Sequence, residues 1–150
     1  MHGTNQCDEY LSEVLVETGG QKVLLVAEDD KEMRSLLCDE LRDLGCRIVE
    51  AGDGNEAIEH ARAMHPDLVL TDLRMPGGGL GYIGRLRIVV PTCPIVLITA
   101  FGDPSVRETS QRFGISAYFD KPVRMDELKA SIKQLLDYRK ESEEQTASRR

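Results

Sequence analysis

Short apolar runs alternate along the chain with longer segments whose apolar positions recur at helical spacing. The runs are too short for ordinary helices, and most are rich in Val, Ile and Leu, which is typical of strands buried on both faces of a parallel sheet. Five such runs occur: KVLLVA (22–27), CRIVEA (46–51), PDLVLTD (66–72), PIVLITA (94–100) and ISAYFD (115–120). Each run therefore predicts one strand.

The segments between the runs carry helix start and stop signals. Asp53 and Glu56 have the spacing of a capping box at the start of the second helix. Asp103, followed by proline, predicts the start of the fourth helix. Gly81 and Gly84 weaken the pattern of the third segment, so we expect that helix to be short or loosely held.

Five rounds of strand then helix predict an α/β fold, a doubly wound five-stranded parallel sheet with helices on both faces. We expect the domain to cover residues 21–139. Residues 1–20 form an N-terminal extension that is loosely ordered or a short helix, and residues 140–150 are expected to be a flexible polar tail.

Composition limits the partners more than the fold. A chain of 150 residues, 41% hydrophobic and 30% charged, fits one domain with one core. The net charge of -7 disfavours direct nucleic-acid binding. With no apolar run long enough to cross a bilayer and no secretory signal pattern, we expect a cytoplasmic protein that does not bind membranes. No cysteines form a C-x-x-C pair, and Cys38 and Cys46 are expected in the core.

Chemically active side chains collect where the predicted strands end. Because the carboxyl ends of parallel strands share one edge of the sheet, we expect these residues to converge there. Carboxylates suit Mg²⁺, with Asp29 and Asp72 as direct ligands and Glu28 acting through a bound water. Lys121 offers a positive charge to a phosphoryl oxygen. The residues at the strand ends are Glu28, Asp29, Asp30, Asp72, Thr99, Ala100, Asp120 and Lys121.

Several of these residues also have ordinary structural explanations when taken one at a time. Asp72 could cap a strand end, Lys121 could be a solvated surface lysine, and Tyr118 could be a packing aromatic. The run GGG at 77–79 lacks the G-x-x-x-x-G-K spacing of a phosphate-binding loop, so we interpret it as a flexible turn. The functional interpretation rests on the whole set being in register.

The motifs that carry this set resemble those of a known family. LLVAEDD, PDLVLTDLRMPGG, IVLITA and AYFDKP, together with DGNEA in the second turn, occur here in the order and strand context of the receiver domain of two-component response regulators. The resemblance covers roughly residues 22–138. It implies a flavodoxin-like (βα)5 fold and a domain that accepts a phosphoryl group rather than acting as an enzyme, beyond self-catalysed phosphotransfer and autodephosphorylation.

The resemblance also implies a role for each site residue. Asp72 would take the phosphoryl group from a phosphohistidine on a sensor histidine kinase or a histidine phosphotransfer protein. The Mg²⁺ ligands would be Glu28, Asp29, Asp72 and the backbone carbonyl of Arg74. Lys121 and Thr99 would contact the phosphoryl group, and Asp30 would lie outside the direct ligands. Thr99 and Tyr118 would form the switch, and Pro122 would follow a cis peptide.

Phosphorylation in this family remodels the face formed by the fourth helix, fifth strand and fifth helix. We therefore expect that face to bind a downstream protein target or to form a homodimer. Arg74 and Phe101 flank the site and are expected to tune the lifetime of the phosphoryl group. The unusually glycine-rich PGGGLGYIG and the third acid, Asp30, depart from the common pattern. The extra negative charge leads us to expect weak Mg²⁺ binding in the absence of phosphate.

Other functions remain open at this stage. A dehalogenase-type phosphatase also uses an Asp at a strand end, but it needs a second Asp two residues later, where this chain has Arg74. A receiver-like docking module that is never phosphorylated is a second alternative. The chain could also be the N-terminal receiver of a larger transcriptional regulator.

Overall fold

The five apolar runs form the strands of one parallel sheet in the computed structural model, which describes residues 20–100 and 103–148. The expectation for the N-terminal extension therefore lies almost wholly outside the described residues. The strand order is β2-β1-β3-β4-β5. The strands are β1 (Val23–Ala27), β2 (Arg47–Ala51), β3 (Leu68–Asp72), β4 (Ile95–Ala100) and β5 (Ala117–Lys121).

A helix follows each strand, as the alternating pattern predicts. The helices are α1 (Lys31–Arg42), α2 (Gly54–Met64), α3 (Leu80–Val89), α4 (Ser105–Phe113) and α5 (Met125–Ser148). Buried side chains of α1 and α5 pack on one face of the sheet, and those of α2, α3 and α4 pack on the other. The predicted doubly wound five-stranded sheet is confirmed.

Strand residues alternate between the two faces of the sheet, so each face has its own apolar cluster. Leu24 and Val26 point to the α1 and α5 side, whereas Leu25 and Ala27 point to the other. This arrangement explains why the runs lack alternating polar positions, because both faces are covered.

Aspartate side chains cap two of the helices, and a third aspartate lies just before the cap position of α4. Asp30 accepts a hydrogen bond from the Met33 N–H at 3.0 Å, and Asp53 accepts one from the Glu56 N–H at 2.8 Å. Asp103 accepts from the Ser105 N–H at 3.0 Å. The cap position of α4 is Pro104 and not Asp103. The helix therefore begins at Ser105, one residue later than the sequence pattern indicates.

The glycines of α3 do not shorten it. The helix has 10 residues, compared with 9 in α4. A Cβ added at Gly84 would lie 3.2 Å from Cζ of Phe113, so this glycine lets α4 approach α3 closely. The expectation of a short third helix took Gly84 only as a helix breaker, whereas it serves packing.

The last helix ends later than the predicted boundary at residue 139. Its backbone continues to Ser148, through the segment KESEEQTAS. This segment contains strong helix formers and neither Gly nor Pro, so nothing in it stops a helix already begun by the packed turns before it. A polar composition alone therefore does not mark the end of this helix.

Two expectations about environment can be checked directly. Cys38 and Cys46 are buried as predicted, and Cys93 is buried as well. Burial raises the pKa of the Cys38 thiol to about 12, which keeps it protonated and unreactive at neutral pH. Among the described residues no helix is both long and apolar enough to cross a lipid bilayer.

Candidate functional site

The carboxyl ends of the strands bring residues from four parts of the chain to one edge of the sheet. Asp72 is the last residue of β3 and pairs with Ile98 of β4, the residue before Thr99. Lys121 ends β5 and pairs with Ala100. Glu28 follows β1 directly, so the predicted convergence at this edge is confirmed.

Three carboxylates form a cluster at this edge. One oxygen from each of Glu28, Asp29 and Asp72 lies within 4.8 Å of the others. Glu28 is 0% exposed and Asp72 3%, whereas Asp29 is exposed to solvent. Two of the acids are buried and one is open to water, so a cation can reach the cluster from solvent.

Lys121 neutralises the buried side of the cluster. Its ammonium nitrogen lies 2.7 Å from Asp72 Oδ2 and 3.1 Å from each carboxylate oxygen of Glu28. Burial alone would lower the pKa of Lys121, but its hydrogen bonds with Asp72 and Glu28 outweigh this effect and raise that pKa, so the amine is charged at neutral pH. Burial raises the pKa of Glu28, and the negative charge of Asp72 adds to the rise.

The other oxygen of Asp72 is held by the backbone. The N–H of Arg74 donates to Asp72 Oδ1 at 2.9 Å, which fixes both the carboxylate and the first turn of the loop that follows β3. The oxygens of three carboxylates are hard donors of the kind that Mg²⁺ prefers. The donor set therefore fits a divalent magnesium ion.

The three consecutive acids after β1 have three different environments. Glu28 is buried against Lys121, Asp29 faces solvent within the cluster, and Asp30 caps α1. Only the first two contribute to the carboxylate cluster. An apolar strand can run into three acids because each has its own partner or water.

Thr99 lies beside the carboxylate cluster but does not bond with Asp72. Its side chain is fully buried, and its hydroxyl donates to Asp103 Oδ2 at 3.2 Å. None of the hydrogen bonds found among the described residues joins Thr99 to Asp72 or Lys121. The structure therefore places Thr99 beside the cluster with its proton directed elsewhere.

Asp103 is the centre of a second polar group that the sequence pattern indicated only as a helix start. The Arg74 guanidinium donates two hydrogen bonds to the Asp103 carboxylate, from Nε to Oδ2 at 2.8 Å and from Nη2 to Oδ1 at 3.0 Å. These bonds, with help from Ser105, hold the pKa of Asp103 well below its usual range although burial opposes them. Phe101, the other residue expected to flank the site, lies outside the described residues.

Tyr82 supports the end of β3 through Thr71, and no sequence motif pointed to it. Its buried hydroxyl lies 3.0 Å from Thr71 Oγ1, and Thr71 donates to the backbone oxygen of Asp72 at 2.9 Å. Burial raises the pKa of Tyr82 to about 12, so the phenol is neutral and able to donate. The chain of bonds fixes the backbone at the end of β3.

Tyr118 lies on the exposed side of β5, with 56% of its surface accessible. It borders a cleft of about 520 Å³ between β5 and α4, to which Val106 and Ser110 contribute the helix wall. The peptide bond between Lys121 and Pro122 is cis, as the resemblance implied.

Comparisons with known proteins agree with this geometry. The model of the response regulator receiver domain family matches residues 24–133. Sporulation initiation phosphotransferase F of Bacillus subtilis (strain 168) is 27% identical over 114 residues, which cover 75% of this chain and 92% of that protein. The transcriptional regulatory protein PdtaR of Mycobacterium tuberculosis is 39% identical over 114 residues, covering 73% of this chain but 54% of that protein.

Other relatives are also longer than the matched region. The chain covers 48% of a probable transcriptional regulator, ycf27 of Cyanophora paradoxa, at 37% identity and 77% coverage of itself. Among solved structures, the signal receiver domain of a modulated diguanylate cyclase from Desulfovibrio desulfuricans G20 superposes with a TM-score of 0.71 at 27% identity. That match covers 81% of this chain and 98% of the other. The match to many of the relatives thus spans about half of their length.

Proposed function

The chain belongs to the response regulator receiver domain family of two-component signal transduction, and we propose from this that Asp72 is its phosphoryl acceptor. Members of the family accept a phosphoryl group rather than turning over a separate substrate. The observation that carries the proposal is the contact of Lys121 with both Asp72 and Glu28 inside a cluster of three carboxylates. A carboxylate that only capped a strand would need neither the lysine nor the other two acids.

The transfer step fits the groups at this site. A carboxylate oxygen of Asp72 attacks the phosphorus of a phosphohistidine, the phosphorus–nitrogen bond breaks, and the imidazole nitrogen keeps the electron pair and takes up a proton. The ammonium group of Lys121 then faces the oxygens of an acyl phosphate, whose added negative charge it meets directly. Asp72 is only 3% exposed, so any donor must bring its phosphorus directly against the carboxylate within the cluster.

We assign Glu28, Asp29, Asp72 and the backbone carbonyl of Arg74 as the protein groups that hold Mg²⁺. When bound, the ion would withdraw charge from the phosphoryl oxygens during transfer. Glu28 and Asp72 are held by Lys121 before any ion arrives, and Asp29 stays open to solvent. We therefore infer that Asp29 is the residue through which the ion enters.

Thr99 and Tyr118 are proposed as the switch that reports phosphorylation. The Thr99 hydroxyl would turn from Asp103 to a phosphoryl oxygen, and the exposed Tyr118 ring would move toward the cleft beside α4. Such a change is a shift between two packings, biased by one new charged group. The exposure of Tyr118 and the cleft next to it support this role.

The phosphoryl donor is proposed to be a sensor histidine kinase or a histidine phosphotransfer protein. The face built by α4, β5 and α5 is proposed to bind a downstream protein target, or a second copy of the chain, after phosphorylation. Tyr118 on β5 connects this face to the site. The net charge of -7 favours protein partners with basic surfaces over nucleic acid.

Acetyl phosphate with Mg²⁺ tests the chemistry without a kinase. Intact-mass measurement should show one added phosphoryl group on the wild-type protein and none on Asp72→Asn. Asp120→Asn, a matched change at the neighbouring strand end, should be phosphorylated like the wild type. Failure of every donor to add mass to the folded wild-type protein would favour the alternative of an unphosphorylated docking module, whose partner binding should survive Asp72→Asn.

A further inference from the structure

We propose that Asp103 and the Arg74 side chain form a latch that holds the Thr99 hydroxyl away from Asp72 until phosphorylation. The inference rests on the proposed role of Thr99 as a contact of the phosphoryl group. It assigns to Asp103 a positioning role that acts through Thr99. The latch consists of Asp103 with Arg74 and Ser105, and the group that it holds is the Thr99 hydroxyl.

The first step is a competition for one proton. A threonine hydroxyl has a single hydrogen to donate, and Thr99 gives it to Asp103 Oδ2 at 3.2 Å. The same hydrogen cannot serve a phosphoryl oxygen on Asp72 at the same time. Because the Thr99 side chain is fully buried, bulk water does not compete for its hydroxyl. The bond to Asp103 therefore opposes the state in which Thr99 contacts the phosphoryl group.

The second step is that Asp103 is fixed in place by groups other than Thr99. Arg74 donates two bonds to it, at 2.8 and 3.0 Å, and Ser105 donates two more, from Oγ at 2.7 Å and from the backbone N–H at 3.0 Å. The Asp103 side chain is 4% exposed, whereas that of Arg74 is 60% exposed. The bond from Thr99 is the longest of the five. Thr99 can therefore leave while Asp103 keeps its other partners.

The third step connects the latch to the acceptor. Arg74 lies two residues after Asp72, and its backbone N–H already donates to Asp72 Oδ1. Phosphorylation converts the singly charged carboxylate of Asp72 into an acyl phosphate with nearly two negative charges, so it adds about one charge beside a hydroxyl that now donates to Asp103. The new charge competes with Asp103 for this hydroxyl. Phosphorylation thereby opens the latch. The strength of the latch sets how much of the protein is active without phosphorylation.

Asp103→Asn tests the latch because it keeps the shape of the side chain and removes its charge. We expect phosphorylation by acetyl phosphate to become roughly fivefold to tenfold faster, because the charge-assisted hydrogen bond from Thr99 becomes a weaker neutral one to the amide oxygen. Glu108→Gln, an exposed carboxylate on the same helix, is the matched control and should leave the rate unchanged. Arg74→Gln, at an exposed side chain, should raise the rate in the same direction and serves if Asp103→Asn does not fold.

The Thr99→Ala background separates positioning from a general effect of charge. If Asp103 acts through Thr99, Asp103→Asn should not accelerate phosphorylation of Thr99→Ala protein. In protein that keeps Thr99 and is not phosphorylated, Asp103→Asn should shift the NMR signal of the Thr99 methyl group. An equal acceleration in both backgrounds, or a wild-type rate in Asp103→Asn, would overturn the latch while leaving the acceptor role of Asp72 intact. Absence of phosphorylation in the wild type would overturn both proposals.

Discussion

The ammonium nitrogen of Lys121 lies 2.7 Å from Asp72 Oδ2, although 49 positions separate the two residues in the chain. The same nitrogen contacts Glu28, so one lysine is the shared counter-charge of two nearly fully buried carboxylates. A divalent cation at this cluster would share the carboxylates with Lys121. Stability and cation binding should therefore respond in opposite directions when the lysine is removed.

Lys121→Met is expected to lower the free energy of unfolding by about 2 kcal/mol in the absence of divalent cations, because it leaves two carboxylates without a counter-charge. The value is at the lower end for buried pairs because the lysine itself is partly exposed. Mg²⁺ should restore part of the loss and bind more tightly to the variant than to the wild type. Urea unfolding with and without Mg²⁺ measures both effects.

Lys133→Met is the matched control, since Lys133 is exposed on α5 and no ion pair found among the described residues joins it to the cluster. It should change neither stability nor Mg²⁺ binding. For the wild type we expect a dissociation constant on the order of millimolar, because a bound ion must share its ligands with Lys121. A tight site in the bare protein, or equal Mg²⁺ affinity in Lys121→Met, would contradict this account.

The Arg74–Asp103 pair predicts a pH dependence of stability. The folded-state pKa of Asp103 is lowered, chiefly by its hydrogen bond with Arg74, so ionised Asp103 stabilises the folded protein. This contribution is complete above the pKa of an unfolded aspartate, about 4, and is lost as the pH falls below it toward the folded-state pKa. The difference in free energy of unfolding between wild type and Asp103→Asn should be constant between about pH 5 and 8.

Below about pH 4 that difference should shrink, which chemical unfolding at a series of pH values measures. Because the Arg74 side chain is largely exposed, added salt should also reduce the difference. A difference that grew on acidification would show that Asp103 is not held ionised by Arg74.

Much of the fold and the acid cluster could be predicted because the signals are local. Dense apolar runs such as VLLVA can hardly be anything but buried strands, and parallel topology then forces Glu28, Asp72 and Lys121 to one edge. The alternation of strand and helix was enough to place all three residues at this edge, without knowledge of any distance between them.

The latch could not be predicted because its signals are ambiguous in sequence. An aspartate before a proline indicates a helix start, and Asp103 does lie just before α4 and bond the Ser105 N–H. The same carboxylate also binds Arg74 at a separation of 29 positions. Nothing in the pattern distinguishes a cap that faces water from one that faces an arginine. Gly84 was similarly ambiguous, since a helix-weakening residue and a packing contact with Phe113 look alike in one sequence.

The glycines around the site predict opposite effects of the same substitution. A Cβ at Gly54 would lie only 2.0 Å from the backbone oxygen of Gly77, so Gly54→Ala must displace the loop that follows β3. Gly81 lies in α3 with nothing within 4 Å of an added Cβ, so Gly81→Ala should gain helix propensity. We expect Gly54→Ala to destabilise by about 2 kcal/mol or more and Gly81→Ala to stabilise by about 0.5–1 kcal/mol.

Thermal unfolding of the two variants beside the wild type measures this difference. Gly54→Ala should also slow phosphorylation by acetyl phosphate, because the displaced loop carries Arg74 and its backbone bond to Asp72. Gly81→Ala should leave that rate unchanged. Equal stability of the two variants would mean that Gly54 and Gly77 are not in contact in solution.

Arg87 joins the end of α3 to the end of α4 at the edge of the sheet opposite the site. Its guanidinium donates to four backbone oxygens at distances from 2.7 to 3.2 Å, those of Val90, Cys93, Phe113 and Gly114. Arg87→Met would leave partly buried carbonyls without donors, so we expect a loss of about 2–3 kcal/mol in the free energy of unfolding. Arg85→Met, at an exposed position on the same helix, should cost less than about 0.5 kcal/mol.

Urea unfolding compares the two variants. Phosphorylation of the folded protein should be unchanged in both, because Arg87 supports the helices from the end remote from Asp72. A loss of phosphorylation in folded Arg87→Met would instead show that the packing of α3 against α4 is coupled to the site.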